Sequence, residues 1–160
     1  MTDAHSIPIE AKVFAFLFQA IEAKHRGNFP AAGKLIEIAL RLADAMPAEE
    51  ADGFRALGYC SLTLLLEKEN RPGDAAKERE QAVALVDRIT KADVLRKHPF
   101  DELMSALLAD LHEYRRAIPF CERAVQQRLG ANEPIKVAGM LSREGHCYSY
   151  CGLRDQAAIS

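Results

Sequence analysis

Apolar residues recur at intervals of three and four along most of the chain, the spacing that places them on one face of an α-helix. The clearest stripe lies in residues 30–45 and consists of Ala32, Leu35, Ile36, Ala39, Leu42 and Ala43. Short polar stretches with glycine, asparagine or proline interrupt this periodicity, and these residues commonly end helices. The pattern predicts a protein made of helices that are joined by short turns.

The periodicity predicts seven complete helices and the start of an eighth. The first four cover residues 8–26, 30–45, 48–69 and 74–89. The fifth begins at Pro99, and the sixth lies in the stretch 111–125 and ends near Gly130. The seventh covers residues 135–151, and the eighth begins at Asp155. Proline suits the first turn of a helix, because the missing N–H has no intrahelical partner there. Residues 90–98 form a longer and more polar connection.

A small residue follows each of four predicted turns at a nearly constant interval. These residues are Ala32, Ala75, Ala117 and Ala157, separated by 43, 42 and 40 positions. An internal period of this kind indicates stacked helical hairpins, each burying its apolar face against the next. We therefore predict an all-α fold in one domain covering residues 1–160, with repeats at about 8–46, 48–90, 99–130 and 135–160, the last incomplete.

The repeat resembles the tetratricopeptide repeat, in the longer-period form of kinesin light chains. The residues that match the family's glycine, alanine, tyrosine and leucine–glycine positions are Ala32, Leu57, Gly58, Tyr114, Ala117, Ala124, Gly145, Tyr148, Gly152 and Ala157. Pro119 within the sixth helix resembles a feature of the longer repeats of kinesin light chains. The sequence departs from the family at its tryptophan position, which holds Phe16, Phe54, Asp101 and Leu141, and at Arg79. The resemblance implies a right-handed superhelix of antiparallel hairpins with a concave face.

The resemblance also implies a function in protein–protein interaction, because members of this family bind an extended peptide or a helix in the concave groove. Its register places six candidate partner-binding residues there: Lys24, Arg55, Tyr59, Glu102, His146 and Tyr150. Arginine and tyrosine carry much of the energy at interfaces, although such residues are also common on ordinary solvated helices. The alternative is a regulatory region that senses a peptide or ligand within a longer signalling or transcription-control protein.

The first predicted helix is apolar almost all round, and such helices are normally buried. We expect Phe14, Leu17 and Phe18 to be covered by a second copy of the chain, by a partner helix or by further protein. At the other end, the helix that begins at Asp155 is short and leaves one face of the seventh helix uncovered. This favours either a longer repeat protein that covers the face or self-association through it. Gly145 is expected to lie against a packed helix, so that a bulky side chain there would destabilise the last repeat.

The balance of charges argues against a nucleic-acid partner, and the short length of the apolar block near the N-terminus argues against a membrane partner. The chain has 21 lysines and arginines against 23 aspartates and glutamates, a formal net charge of −2, and no basic cluster of the kind that binds nucleic acid. The apolar block at residues 13–18 is too short to span a bilayer, and no basic region precedes it as in a signal peptide. We predict a cytoplasmic protein with a protein or peptide partner.

The four cysteines, Cys60, Cys121, Cys147 and Cys151, all fall within predicted helices. This placement favours buried thiols in a reducing compartment. Cys147, Cys151 and the neighbouring His146 suggest a metal or thiol site, but zinc takes four ligands and no second pair stands at a matching spacing. We therefore predict no metal, no cofactor and no catalytic residue.

Overall fold

A computed structural model describes residues 7–92 and 100–151, and all regular structure in these ranges is α-helical. The helices are α1 (Ile9–His25), α2 (Phe29–Asp44), α3 (Ala48–Lys68), α4 (Pro72–Ala92), α5 (Asp101–Asp110), α6 (Tyr114–Gly130) and α7 (Pro134–Tyr150). The predicted all-α fold is confirmed. The predicted eighth helix, with Gly152 and Ala157, lies outside the described residues.

The helix boundaries differ from the predicted ones by a few residues. In the stretch 111–125, Leu111 caps the end of α5 and α6 begins only at Tyr114. His112 has a φ of 62°, and this left-handed conformation ends α5 because it cannot continue a right-handed helix. α4 is also longer than predicted and begins at Pro72, where proline is compatible with a first turn.

One type of turn connects four of the helix pairs. A residue with positive φ lies two positions before the next helix in each case: Gly27, Asn70, His112 and Asn132. Its N–H donates to the carbonyl three residues earlier, and the following N–H donates to the carbonyl five residues earlier. These bonds satisfy carbonyls that the end of a helix leaves without partners. Each turn has three residues, so consecutive helices remain close neighbours.

The contacts divide the chain into two compact units, Met1–Val94 and Leu95–Ser160. In unit 1, α1 packs on α2, α2 packs on α3 and α3 packs on α4, and α1 also reaches α3. One part of its core contains Ala20, Ala23, Ala32, Ile36 and Leu65. Alanines in this core allow the helices to approach closely. Whether the whole chain forms one domain stays a prediction.

Unit 2 repeats this packing order with three helices. α5 packs on α6, α6 packs on α7, and α5 also reaches α7. Its largest fully buried side chains are Phe100, Met104, Leu108, Leu111 and Phe120. Ala124 and Val125 of α6 form a further buried cluster with Met140 of α7.

The predicted small positions are buried in both units. Ala32, Ala75 and Ala117 are each the fourth residue of their helix, and each is at most 3% exposed. The small side chain at this place lets the helix lie close to its neighbour immediately after the turn.

Candidate functional site

Two histidines and two tyrosines meet on the surface of unit 2. We call His112, Tyr114, His146 and Tyr150 the His–Tyr cluster. His112 lies in the α5–α6 turn and Tyr114 opens α6, whereas His146 and Tyr150 lie one turn apart near the end of α7. The structure thus brings two predicted groove residues, His146 and Tyr150, into contact with each other. Sequence reasoning did not find His112 and assigned Tyr114 only to the repeat pattern.

The rings of the cluster are in direct contact. Tyr114 and Tyr150 stack with their centroids 4.5 Å apart and an interplanar angle of 24°. The His146 ring lies 4.4 Å from Tyr150 and 5.5 Å from Tyr114, the latter edge to face. His112 Nδ1 lies 2.6 Å from the Tyr114 hydroxyl oxygen, a hydrogen bond in which either group can donate. Offset and edge-to-face contacts are the favourable arrangements for aromatic rings.

Local structure explains why these four residues meet. His146 and Tyr150 are four positions apart, so they lie above one another on the same side of α7. The left-handed conformation of His112 turns the chain sharply enough for its ring to reach Tyr114, two residues later. The packing of α6 on α7 then brings Tyr114 onto Tyr150.

The cluster remains accessible from outside. Tyr150 is 64% exposed, His112 and His146 are exposed, and Tyr114 is half-buried. Desolvation, followed by the effect of Tyr150, raises the pKa of the Tyr114 hydroxyl above its ordinary value. Tyr114 therefore stays neutral at physiological pH. The surface combines apolar ring faces with hydroxyl and imidazole groups that can donate or accept hydrogen bonds.

Glu102, the other predicted groove residue of unit 2, takes part in an ionic network. Arg128 Nε donates to Glu102 at 3.0 Å, and Arg128 also pairs with Glu133. The network connects the start of α5 with the end of α6 and the turn before α7. The Glu102 carboxylate is therefore paired within unit 2, and the described contacts do not join it to the His–Tyr cluster.

The predicted groove residues of unit 1 lie on α1 and α3. Arg55 Nε donates to Asp44 at 2.8 Å and its Nη1 donates to Asp52 at 3.3 Å. The hydrogen bond to Asp44 is the main reason that the pKa of Arg55 is raised. Lys24 and Tyr59 are half-buried. Arg55 thus joins α3 to α2, and a partner would have to compete with its two carboxylates.

The structure corrects one of the three residues that we expected to mediate self-association. Leu17 is fully buried, since α1 packs on α2 and α3 and this residue faces the core of unit 1. Phe14 is half-buried, with its ring edge to face on Phe54 at 5.4 Å. Phe18 stacks on Phe14 at 6.3 Å and is 53% exposed. Phe18 therefore provides most of the accessible apolar surface of this group.

The cysteines are all free thiols in the structure. Cys60, Cys121 and Cys147 are buried, and Cys151 is half-buried. Burial raises the pKa of Cys121 to about 12 and that of Cys147 above its ordinary value. A thiol with a raised pKa is a poor nucleophile at neutral pH, because the thiolate is the reactive form.

The described ranges, 7–92 and 100–151, contain neither a metal-binding cluster nor a membrane-spanning helix. No group of three or more His, Cys, Asp and Glu side chains there is arranged to hold a metal ion. None of the helices in these ranges combines the length and apolar character needed to cross a membrane.

Comparison with known proteins does not identify a family for this chain. No protein-family model matches the chain, and no curated protein or solved structure matches it. A function is therefore inferred from the residues, contacts and charges of the chain itself.

Proposed function

We propose that this chain is a non-catalytic module for protein–protein interaction, made of helical hairpins that stack like tetratricopeptide repeats. The packing order supports this proposal, because in each unit a helix contacts the next one and the first also contacts the third. The turn residues Gly27, Asn70 and His112 follow one another at 43 and 42 positions, which is the interval of the buried alanines. Stacked hairpins of this type expose extended surfaces suited to a peptide or a helix.

The observation that carries the proposal is the exposed His–Tyr cluster. Tyrosine is enriched at protein interfaces, since its ring covers a large apolar area and its hydroxyl remains available for hydrogen bonds. The stacking of Tyr114 on Tyr150 also holds the rings in place before a partner arrives. A partner that covers a preordered ring loses less conformational entropy than one that must order flexible side chains.

The non-catalytic part of the proposal rests on the chemistry available near the cluster. Cys147 is the thiol closest in sequence to His146, and it is buried with a raised pKa. Tyr114 also has a raised pKa, so neither residue is prepared to act as a nucleophile or general base at neutral pH. The same groups are well suited to hydrogen bonding with a peptide.

A peptide selection with matched variants tests this function. Peptides that bind the immobilised chain are selected from a display library, and their dissociation constants are measured by fluorescence anisotropy. Tyr150→Ala is expected to weaken binding by about tenfold or more, as for a residue at the centre of an interface. Gln126→Ala changes an exposed residue of α6 outside the cluster and should leave the affinity unchanged.

The far-ultraviolet circular dichroism of each variant serves as the control, because the comparison requires variants that remain folded. Failure to select any peptide, or equal affinities for wild type and Tyr150→Ala, would overturn the assignment of a partner site to the cluster.

A further inference from the structure

Three of the four cysteines lie close together in unit 2, where α6 packs on α7. Cys121 lies in α6, Cys147 lies in α7 and Cys151 caps the end of α7. Cys121 and Cys147 are fully buried, whereas Cys151 is half-buried. The proposed peptide site uses none of these thiols, so their chemistry is a separate property of the unit.

The register of α6 on α7 places Cys121 opposite Cys147. The Tyr148 hydroxyl donates a hydrogen bond to Glu122, and these two residues directly follow the two cysteines in sequence. The two thiols themselves lie within hydrogen-bonding reach of each other. Two buried sulfur atoms that meet across neighbouring helices lie in the position from which a disulfide can form.

A guanidinium group lies beside the two buried thiols. Arg143 precedes Cys147 by one turn of α7, and its Nη1 donates to Ser105 Oγ at 3.1 Å and lies 3.9 Å from Met140 Sδ. Burial is the largest influence and raises the pKa of both Cys121 and Cys147, whereas the positive charge of Arg143 lowers both pKa values. A cation beside a thiol stabilises the thiolate, which is the form that reacts.

Cys151 provides a route from solvent to the buried pair. Its N–H donates to the Cys147 carbonyl at 3.1 Å, so α7 is still helical at this point and the two side chains lie one turn apart on the same side. Cys151 is half-buried, whereas Cys147 has no exposed surface. A small oxidant therefore meets Cys151 first, because susceptibility to oxidation follows exposure.

We propose that these three cysteines form a thiol relay that a peroxide oxidises, and that the relay ends in a disulfide between Cys121 and Cys147. This inference goes beyond the proposed function and does not depend on it. Each step of the relay moves the oxidised sulfur farther from solvent, from Cys151 to the buried pair. The final bond joins α6 covalently to α7.

The relay has three steps. The Cys151 thiolate attacks one oxygen of hydrogen peroxide and becomes a sulfenic acid, and the other oxygen leaves as water after taking up a proton. The Cys147 sulfur then attacks the Cys151 sulfur, and the sulfenic hydroxyl leaves as water with the proton of Cys147. Finally, Cys121 attacks the Cys147 sulfur by thiol–disulfide exchange and Cys151 becomes a thiol again. In total, two thiols lose two electrons and two protons, and the peroxide is reduced to two molecules of water.

Burial makes the relay slow at neutral pH, because it limits the thiolate form of Cys121 and Cys147. The proximity of the three thiols offsets part of this cost, since each attack after the first occurs between neighbouring groups of one molecule. In the reducing compartment that the sequence predicts, such a disulfide forms only while the oxidant is present. The reduced thiols are then the resting state.

Peptide mapping of the purified chain after exposure to hydrogen peroxide tests the inference. Remaining thiols are alkylated with iodoacetamide in denaturant, and the chain is digested with trypsin and analysed by mass spectrometry. Tryptic peptide 117–123 contains Cys121, and peptide 144–154 contains both Cys147 and Cys151. The wild type is expected to give these two peptides joined, with the alkyl group on Cys151, and dithiothreitol should separate them.

Serine variants test the order of the steps. Cys121→Ser should stop the relay at a disulfide between Cys147 and Cys151, within peptide 144–154. Cys151→Ser should slow the joining of the two peptides by about tenfold or more, because the accessible thiol is lost. Cys60→Ser removes the buried thiol of α3 and serves as the matched control, with the rate of the wild type expected.

Several results would overturn the relay. If the wild type keeps all four thiols open to alkylation after peroxide treatment, the cysteines are inert core residues. Joined peptides that carry the alkyl group on Cys147, or a cross-link between two chains, place the disulfide elsewhere. An unchanged rate in Cys151→Ser removes the route from solvent. Mapping of the wild type requires no variant, so the inference can fail even where a serine substitution unfolds the chain.

Discussion

Gly58 and Gly145 hold the same position in the predicted repeats but have opposite surroundings. A Cβ at Gly58 would lie 2.5 Å from Leu40 Cδ2 and 2.9 Å from Leu40 Cγ, so α3 approaches α2 closely there. A Cβ at Gly145 would meet nothing within 4 Å. The packing that we expected at Gly145 is therefore not found among the described residues.

These surroundings predict opposite effects of the same substitution. Gly58→Ala should destabilise the protein by about 1 kcal/mol, since overpacking costs about 1–3 kcal/mol and the gain in helix propensity is about 1 kcal/mol. Gly145→Ala should stabilise it by up to about 1 kcal/mol, because only the propensity changes. Urea unfolding at low protein concentration measures both changes. Destabilisation of equal size by both substitutions would show that Gly145 is covered.

At the scale of the element, α5 depends on a buried carboxylate at its first residue. Asp101 is fully buried and accepts hydrogen bonds from Gln127 Nε2 at 2.8 Å and from Arg123 Nε at 3.3 Å. Its charge also lies at the positive end of the helix dipole. The sequence showed Asp101 only as a departure from an aromatic position of the repeat, and the structure replaces the aromatic ring with an ion pair between α5 and α6.

Asp101→Asn is expected to lower the free energy of unfolding by about 1–3 kcal/mol, because it removes the charge from hydrogen bonds that are buried. Asp110→Asn makes the same change at the exposed end of α5 and should alter the stability by no more than about 0.5 kcal/mol. Thermal unfolding followed by circular dichroism compares the two variants with the wild type. Equal stability of both variants would show that the buried pair contributes little.

At the scale of the whole molecule, each unit has fully buried aromatic side chains of its own. They are Phe54 in unit 1 and Phe100 and Phe120 in unit 2. Phe54→Ala and Phe120→Ala should each cost about 3–5 kcal/mol locally, as for other large core deletions. We expect Phe54→Ala to reduce amide protection in α1 to α4 and to spare α5 to α7, with the reverse for Phe120→Ala.

Hydrogen exchange measured by mass spectrometry separates these responses, because it reports protection for each segment of the chain. A uniform loss of protection in both units after either substitution would contradict independent cores. That result would instead favour the single domain that the sequence predicts for residues 1–160.

The amino-acid sequence by itself determined the helices and much of their buried faces. A helix with one buried face must repeat its apolar residues every three or four positions, and this local rule predicted the seven helices. The same rule explains why Ala32, Ala75 and Ala117, which follow their turns at a constant distance, are all buried.

Only the tertiary structure decided which of these faces meet and which stay open. Leu17 and Phe18 are adjacent in an apolar helix, yet one is fully buried and the other is 53% exposed. Tyr114 and Tyr150 are 36 positions apart and stack because α6 packs on α7 after the turn at His112. Periodicity identifies the face of a helix that is buried, but contacts between distant residues depend on turn conformation and helix packing, which no local pattern specifies.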